Sequence, residues 1–239
     1  MMPNRSGRPQ LLAVLTGDVV ASTALGAKDA AKLASRIEEA WGLAAEASDA
    51  AVTKVDVFRG DAWQAAVHEV RDVFSVALRM RIALRWLVAA PRVDTRIAIG
   101  VGSFDVIDAQ RLSRSRGAAF ELSGRALDAI GRGRRLTVRV EDDAILEATL
   151  DTILDLVDTL VQTWSEAQAY AVDHALLGWT QEETAANWSP KAIRQQAVHK
   201  HLKRAGWPAI GRALDHARHL LNHWSEASVL SRVEGRVHP

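Results

Sequence analysis

Strand-like and helical runs alternate in a fixed order over the first 140 residues of this 239-residue chain, and then the strand signal stops. Residues 11–16 are a short apolar run closed by Gly17-Asp18, the pattern of a buried strand. Residues 24–48 carry Leu33, Ile37, Trp41, Ala44 and Ala45 at helical spacing. Residues 51–58 and 62–67 are β-rich and flank Arg59-Gly60-Asp61, which predicts a hairpin. A helix is expected over 70–88, ending before Pro91. The alternating β-branched run 95–101 reads as a strand, 108–117 as a polar loop holding Arg111, Arg114 and Arg116, 118–130 as a helix, and 136–140 as a last strand.

The order β-α-β-β-α-β, followed by α and β, predicts a ferredoxin-like unit: an antiparallel sheet with its helices on one face. Beyond Glu141 the pattern is helical only, with a long helix at 144–164 and further helices at 165–177, 181–187, 193–204 and 209–226. The expected fold is therefore α+β, a ferredoxin-like domain over 1–141 followed by an all-α domain over 142–239. With 48% hydrophobic and 25% charged residues, the composition is that of a globular chain. The absence of Cys excludes disulfides, zinc–thiolate sites and thiol nucleophiles. Leu11–Leu15 is too short for a signal segment, and no apolar run approaches the ~20 residues of a membrane helix. A cytoplasmic protein with no membrane contact is expected.

Two carboxylates stand out. Asp18 closes the first strand and Asp61 sits at the hairpin tip, and these segments are neighbours in a ferredoxin-like sheet. A close carboxylate pair is unfavourable unless a cation joins it, and hard oxygen ligands suit Mg²⁺ or Mn²⁺ together with a nucleotide's phosphates. The backbone N–H groups of Val19, Val20, Ala21, Ser22 and Thr23 precede a helix and could cradle phosphate oxygens. Turn chemistry is the competing account of Asp18, Asp61 and Gly60. Arg125 also reads as an ordinary surface cation. The three loop arginines read as a solvated loop or as a basic lid over phosphates.

Residues 11–135 resemble the catalytic domain of class III nucleotidyl cyclases. The resemblance rests on Asp18-Val19-Val20-Ala21-Ser22-Thr23, on Gly60-Asp61, on Arg96-Ile97-Ala98-Ile99-Gly100, and on the helix around Glu121 and Arg125. It implies Asp18 and Asp61 as metal ligands, Gly60 and the loop 19–23 as nucleotide-binding, and Arg125 as the catalytic cation. Three positions depart from the family: Glu121 stands where cyclases carry Asn, and Val57 and Arg114 stand where adenylyl cyclases carry the purine-selecting Lys and Asp. The whole chain is similar to the SatD family, through the stretch Gly117 to Asp128 and a helix-turn-helix half after a cyclase-like half.

The charge is uneven. Residues 190–239 hold nine Lys and Arg against three acids, while the whole chain is only +1. Thr180 and Glu183 have capping-box spacing ahead of a helix. A second helix at 193–204 exposes Arg194, Gln195, Gln196, His199, Lys200, Lys203 and Arg204. A basic second helix rich in Gln is a helix-turn-helix candidate, with Gln195 and Gln196 for base edges and the cations for phosphates. A helical dimerisation domain is the alternative. His216, His219 and His223 share a helix face, read as wet and basic rather than metal-binding. Trp41, Trp86 and Trp164 are expected in the core, and Trp179, Trp188 and Trp207 around the helical motif. Three functions fit: a nucleotide-responsive DNA-binding regulator, a metal-dependent nucleotidyl cyclase acting on a nucleoside triphosphate, and a structural dimer with an inactive cyclase fold. A homodimer is implied throughout.

Overall fold

The computed structural model describes residues 2–3, 11–48, 53–58, 60–90, 93–108 and 111–234, with the backbone alone at 2–3 and 231–234. The expected strand start at Ala51 and Val52, and Arg59 in the hairpin, lie outside the described residues. The strands are β1 (Met2–Pro3), β2 (Leu11–Val20), β3 (Asp56–Phe58), β4 (Ala62–Val67), β5 (Asp94–Ser103), β6 (Val106–Ile107) and β7 (Leu136–Val140). The helices are α1 (Ala27–Ala30), α2 (Leu33–Ala45), α3 (Val73–Val88), α4 (Ala118–Ala129), α5 (Ala144–Val161), α6 (Glu166–Leu176), α7 (Gln181–Ala186), α8 (Gln195–Arg204) and α9 (Trp207–Glu234). The chain is thus α+β, with a five-stranded sheet in the order β3-β4-β2-β5-β7. Among the described residues no helix is long and apolar enough to cross a membrane.

Most expected elements are present with shifted ends. The first strand runs four residues past Thr16, so Asp18 lies inside β2 rather than at its end. The single helix expected at 24–48 is two, α1 and α2. The last helix begins at Trp207 and reaches Glu234. Two features of the sheet differ from expectation. β5 and β7 pair in parallel, so the sheet is mixed. The helices also cover both faces.

The reason is written in alternate residues. One face carries Leu15, Val19, Trp63, Ala65, Ile97, Ile99, Leu136 and Val138, and shares one buried cluster with α2, α3 and α5. The opposite face carries Leu12, Val14 and Ala66, which pack against Ala119 and Phe120 of α4. Close approach of α4 depends on Gly100: a Cβ there would lie 2.1 Å from the Ala119 carbonyl oxygen. A small-residue groove in β5 therefore draws α4 to a face that the strand order alone leaves open.

The apolar cluster does not stop at Glu141. It continues through Val157, Val161 and Trp164 to Val172, Val198, Leu202, Leu214 and Trp224. Two arginines of α3 bind across it. The Arg79 guanidinium, 2% exposed, grips Asp173 of α6 through Nε (2.8 Å) and Nη2 (3.1 Å), and its Nη1 donates to the Leu43 carbonyl. Arg81, fully buried, grips Asp94 of β5 at 2.8 and 2.7 Å and donates through Nη1 to Asp158 of α5 at 2.6 Å. Burial alone would lower the Arg81 pKa, yet the two carboxylates outweigh it and hold it raised. At the C-terminal end, Arg218 of α9 donates to the buried Asp72 at 2.6 Å.

Removing Arg81 leaves Asp94 and Asp158 without their shared cation. Arg81→Ala should lose about 3–5 kcal/mol of unfolding free energy, read by urea denaturation at neutral pH. A second outcome concerns acid. Burial would raise the Asp151 pKa, but hydrogen bonds from Arg134, Thr137 and the Val138 amide, with the Arg134 charge, hold it below its ordinary 3.8. A depressed folded pKa stabilises above 3.8 and loses that stability as pH falls through the folded value. The stability gap between wild type and Asp151→Asn should therefore shrink from pH 7 to about pH 3.

Candidate functional site

The end of β2 is built by its neighbours. Gly17 pairs with Trp63 across the sheet, and the indole lies over the glycine, 2.5 Å from where a Cβ would stand. Trp63 Nε1 donates to Thr95 Oγ1 at 3.3 Å, and Thr95 Oγ1 donates to the Asp18 carbonyl at 2.9 Å. This buried relay fixes the backbone that carries Asp18.

Asp18 and Asp61 are brought to the same sheet end. Asp18 pairs with Ala62 in register, and the Val19 amide donates to the Asp61 carbonyl at 3.1 Å. That amide is therefore already spoken for, a correction to its place among the phosphate-cradling groups. Ala21 has a left-handed backbone (φ 60°) and opens a short 3-10 turn, Ser22–Ala24. The turn points the Ser22 hydroxyl at Asp61, where Oγ donates to Oδ2 at 2.7 Å. Thr23 is exposed, and Val20 is the last β2 residue paired with β5, opposite Asp94. Gly60 has φ 85°, which the hairpin tip requires.

Sequence reasoning missed what occupies Asp18. Arg96 lies directly opposite it on β5. Its Nε donates to Asp18 Oδ1 at 2.8 Å and its Nη2 to Oδ2, a bidentate pair. The Asp18 hydrogen bond, against the cost of burial, holds the Arg96 pKa raised. The signal was present: Arg96 heads the strand run, and the antiparallel register sets it across from Asp18. Neither carboxylate pairs with Arg125, which is largely exposed on α4 and lies 3.7 Å from Glu121, one turn earlier. Glu121 is thus a loose, exposed neighbour of the cation that the resemblance assigns to catalysis.

The metal expectation can be set against this geometry. Both Asp18 oxygens are held by a guanidinium, and one Asp61 oxygen is held by Ser22. Among the described residues no group of three or more His, Asp or Glu side chains is placed to hold a metal ion. As folded, Asp18 is open to a cation only if Arg96 releases it. A cleft of about 580 Å³ opens on the same face as α4, lined by Phe58, Gln64, Ser113, Arg116, Phe120 and Glu121 among others. It does not include Asp18 or Asp61. Under it, Gln64 Nε2 donates to Thr16 Oγ1 at 2.9 Å, and Thr16 Oγ1 shares a 2.8 Å hydrogen bond with Ser123.

The helical half places the other candidates. Thr180 and Glu183 form the expected capping box, and hydrogen bonds from Thr180 hold the Glu183 pKa low. Arg194, Gln195, Gln196, His199, Lys200, Lys203 and Arg204 are all exposed, and none of the four cations is in an ion pair with a described residue. Val198 and Leu202 anchor the opposite side of α8. The eight residues 187–194 separate α7 from α8, against about three or four in a helix-turn-helix turn. Arg218, one of the nine basic residues of this segment, is used internally by Asp72. Trp41 and Trp164 are buried as expected, but Trp86 is 48% exposed and Trp179 38%.

No family model matches this chain, and no curated protein does. Among solved structures it is similar to the crystal structure of the guanylyl cyclase Cya2, at 16% identity and a TM-score of 0.43, over 57% of this chain and 77% of that one.

The glycine under Trp63 gives a direct test of how the site is held. Gly17→Ala should cost about 1–3 kcal/mol by urea denaturation, because the new Cβ meets the indole and the Arg96 backbone.

Proposed function

We propose that this chain is a DNA-binding regulator in which α8 contacts the nucleic acid and the sheet half responds to a nucleotide. The observation that carries the reading is the exposed face of α8: Arg194, Lys200, Lys203 and Arg204 have no acidic partner among the described residues, and Gln195 and Gln196 lie beside them. Unpaired cations on one helical face attract phosphates, and their counterions are released on binding. In this reading α6, α7 and α8 serve as the helix-turn-helix half with a lengthened turn. The order β3-β4-β2-β5, each neighbour antiparallel, supports a ferredoxin-like, cyclase-like sheet.

The sheet half is a sensor rather than a catalyst on this account. The Arg96–Asp18 pair occupies a carboxylate that turnover would need. A nucleotide phosphate arriving at Ser22 and Thr23 would compete with Asp18 for Arg96. A Mg²⁺ or Mn²⁺ ion would require Arg96 to leave Asp18 first. Because α3 is bonded to both β5 and α6, a shift in β5 has a physical route toward α8. A homodimer and a cytoplasmic location complete the proposal.

The test is fluorescence anisotropy of labelled DNA over a salt series. The Arg194→Ala/Lys200→Ala/Lys203→Ala variant should bind at least about tenfold more weakly, with a salt slope shallower by about two to three. Unchanged affinity in a folded variant would remove α8 as the contact surface.

A further inference from the structure

A row of aromatic rings begins on α8 and runs to the protein surface. His201 of α8 stacks on Trp188 at 5.3 Å and 21°. Trp188 lies 4.6 Å from Tyr170 of α6, whose hydroxyl donates to the Asn187 carbonyl at 2.8 Å and ties the ring to the 187–194 loop. Tyr170 stacks on His174 at 4.2 Å and meets Trp86 of α3 edge-on at 5.2 Å. His174 in turn meets Trp179 edge-on at 4.6 Å. Six rings from α3, α6, α8 and two loops are in contact. His201, Trp188, Tyr170 and His174 are half-buried, while Trp86 and Trp179, the two ends away from α8, are 48% and 38% exposed.

A row of rings serving only as a small core would bury its ends, since indoles are the largest apolar side chains available. Here the two indole ends face water while the half-buried rings between them and α8 hold them in place. The row also meets the cationic helix: Arg204 follows His201 by three residues on α8, and Arg194 caps the same helix. Half-exposed indoles joined through a ring row to a helix of unpaired cations are the two parts of a single-strand binding surface.

Resting on the DNA-binding reading above, we propose that the nucleic acid taken at α8 is single-stranded, with phosphates on the α8 cations and unpaired bases stacked on Trp179 and Trp86. In a duplex each base face is covered by its neighbours and only edges reach the grooves, so a surface indole finds no open base to stack on. An unpaired strand offers a π face at every base, and stacking on it tolerates any sequence. The 187–194 loop contributes to the same surface, because it supplies Trp188 to the ring row.

The experiment uses the full chain with two labelled probes at one salt concentration: oligo-dT of about twenty nucleotides, long enough for one site, and a mixed-sequence duplex of equal length. Anisotropy gives affinity, and intrinsic tryptophan emission reports stacking. The expected result is at least about tenfold preference for the single strand, with quenching of emission. The Trp86→Ala/Trp179→Ala variant should lose about tenfold or more on oligo-dT and leave duplex affinity unchanged, while Trp179→Phe, which keeps a face, should retain most of the binding. Thermal melting confirms that each variant is folded. Duplex binding as tight as oligo-dT, or oligo-dT binding indifferent to the tryptophans, would overturn the single-strand assignment and leave α8 as a DNA contact. Failure of both probes to bind would overturn both readings.

Discussion

Arg79 and Arg81 are two positions apart on α3, so their side chains leave opposite flanks of the helix and reach different partners. One holds Asp173 of α6 and the other holds Asp94 of β5 and Asp158 of α5. Buried charges of this kind are costly to desolvate and stabilise only when every partner is in place. Here the geometry is bidentate on both main carboxylates, and the second Asp158 oxygen accepts the Arg135 amide at 2.6 Å. The interaction therefore acts as a specification: α3, β5, α5 and α6 must assemble in one arrangement, or two guanidinium groups are stranded in an apolar cluster. This is why the helical half does not hang from the sheet as a separate body of packing.

The same logic of filled partners governs the sheet end. Asp18 is shaped by a tryptophan over a glycine, a threonine on its carbonyl and an arginine on its carboxylate. Each neighbour makes the position more rigid, and the last one neutralises it. A carboxylate in a bidentate pair with arginine is a poor ligand until that pair opens. In the proposed sensor, an incoming anion would compete with Asp18 for one guanidinium. On α4 the Glu121–Arg125 contact is weaker, exposed and screened, so it biases Arg125 without fixing it.

Much of the site was legible as residues and little of it as contacts. Asp61 and Gly60 stand at the hairpin where the sequence pattern put them, and Ser22 follows the strand, whereas Asp18 lies two residues inside β2. The capping box at Thr180 and the amphipathic α8 follow from local spacing, and both are present. Arg96 escaped notice because its role needs the register of two strands 78 positions apart. Arg79 and Arg81 drew no expectation from the sequence, although charged residues in so apolar a helix were the available signal. Trp86 misled in the other direction: its helical spacing placed it in the core, but it is 48% exposed in the last turn of α3, while Val88 of the same turn is buried.

The sequence by itself determined which segments are strands and helices, because period-two and period-3.6 patterns and turn residues act within a few positions. It also determined the break in character after Glu141 and the basic face of α8. Tertiary structure alone decided that α4 crosses to the far side of the sheet, because that depends on Gly100 lying under Ala119. It alone decided that β7 runs parallel to β5, that one core spans both halves, and that Asp18 faces an arginine. The physical reason is range. Propensity and amphipathicity are summed along the chain, whereas ion pairs, glycine contacts and ring stacks join residues that only the completed fold brings within a few ångströms.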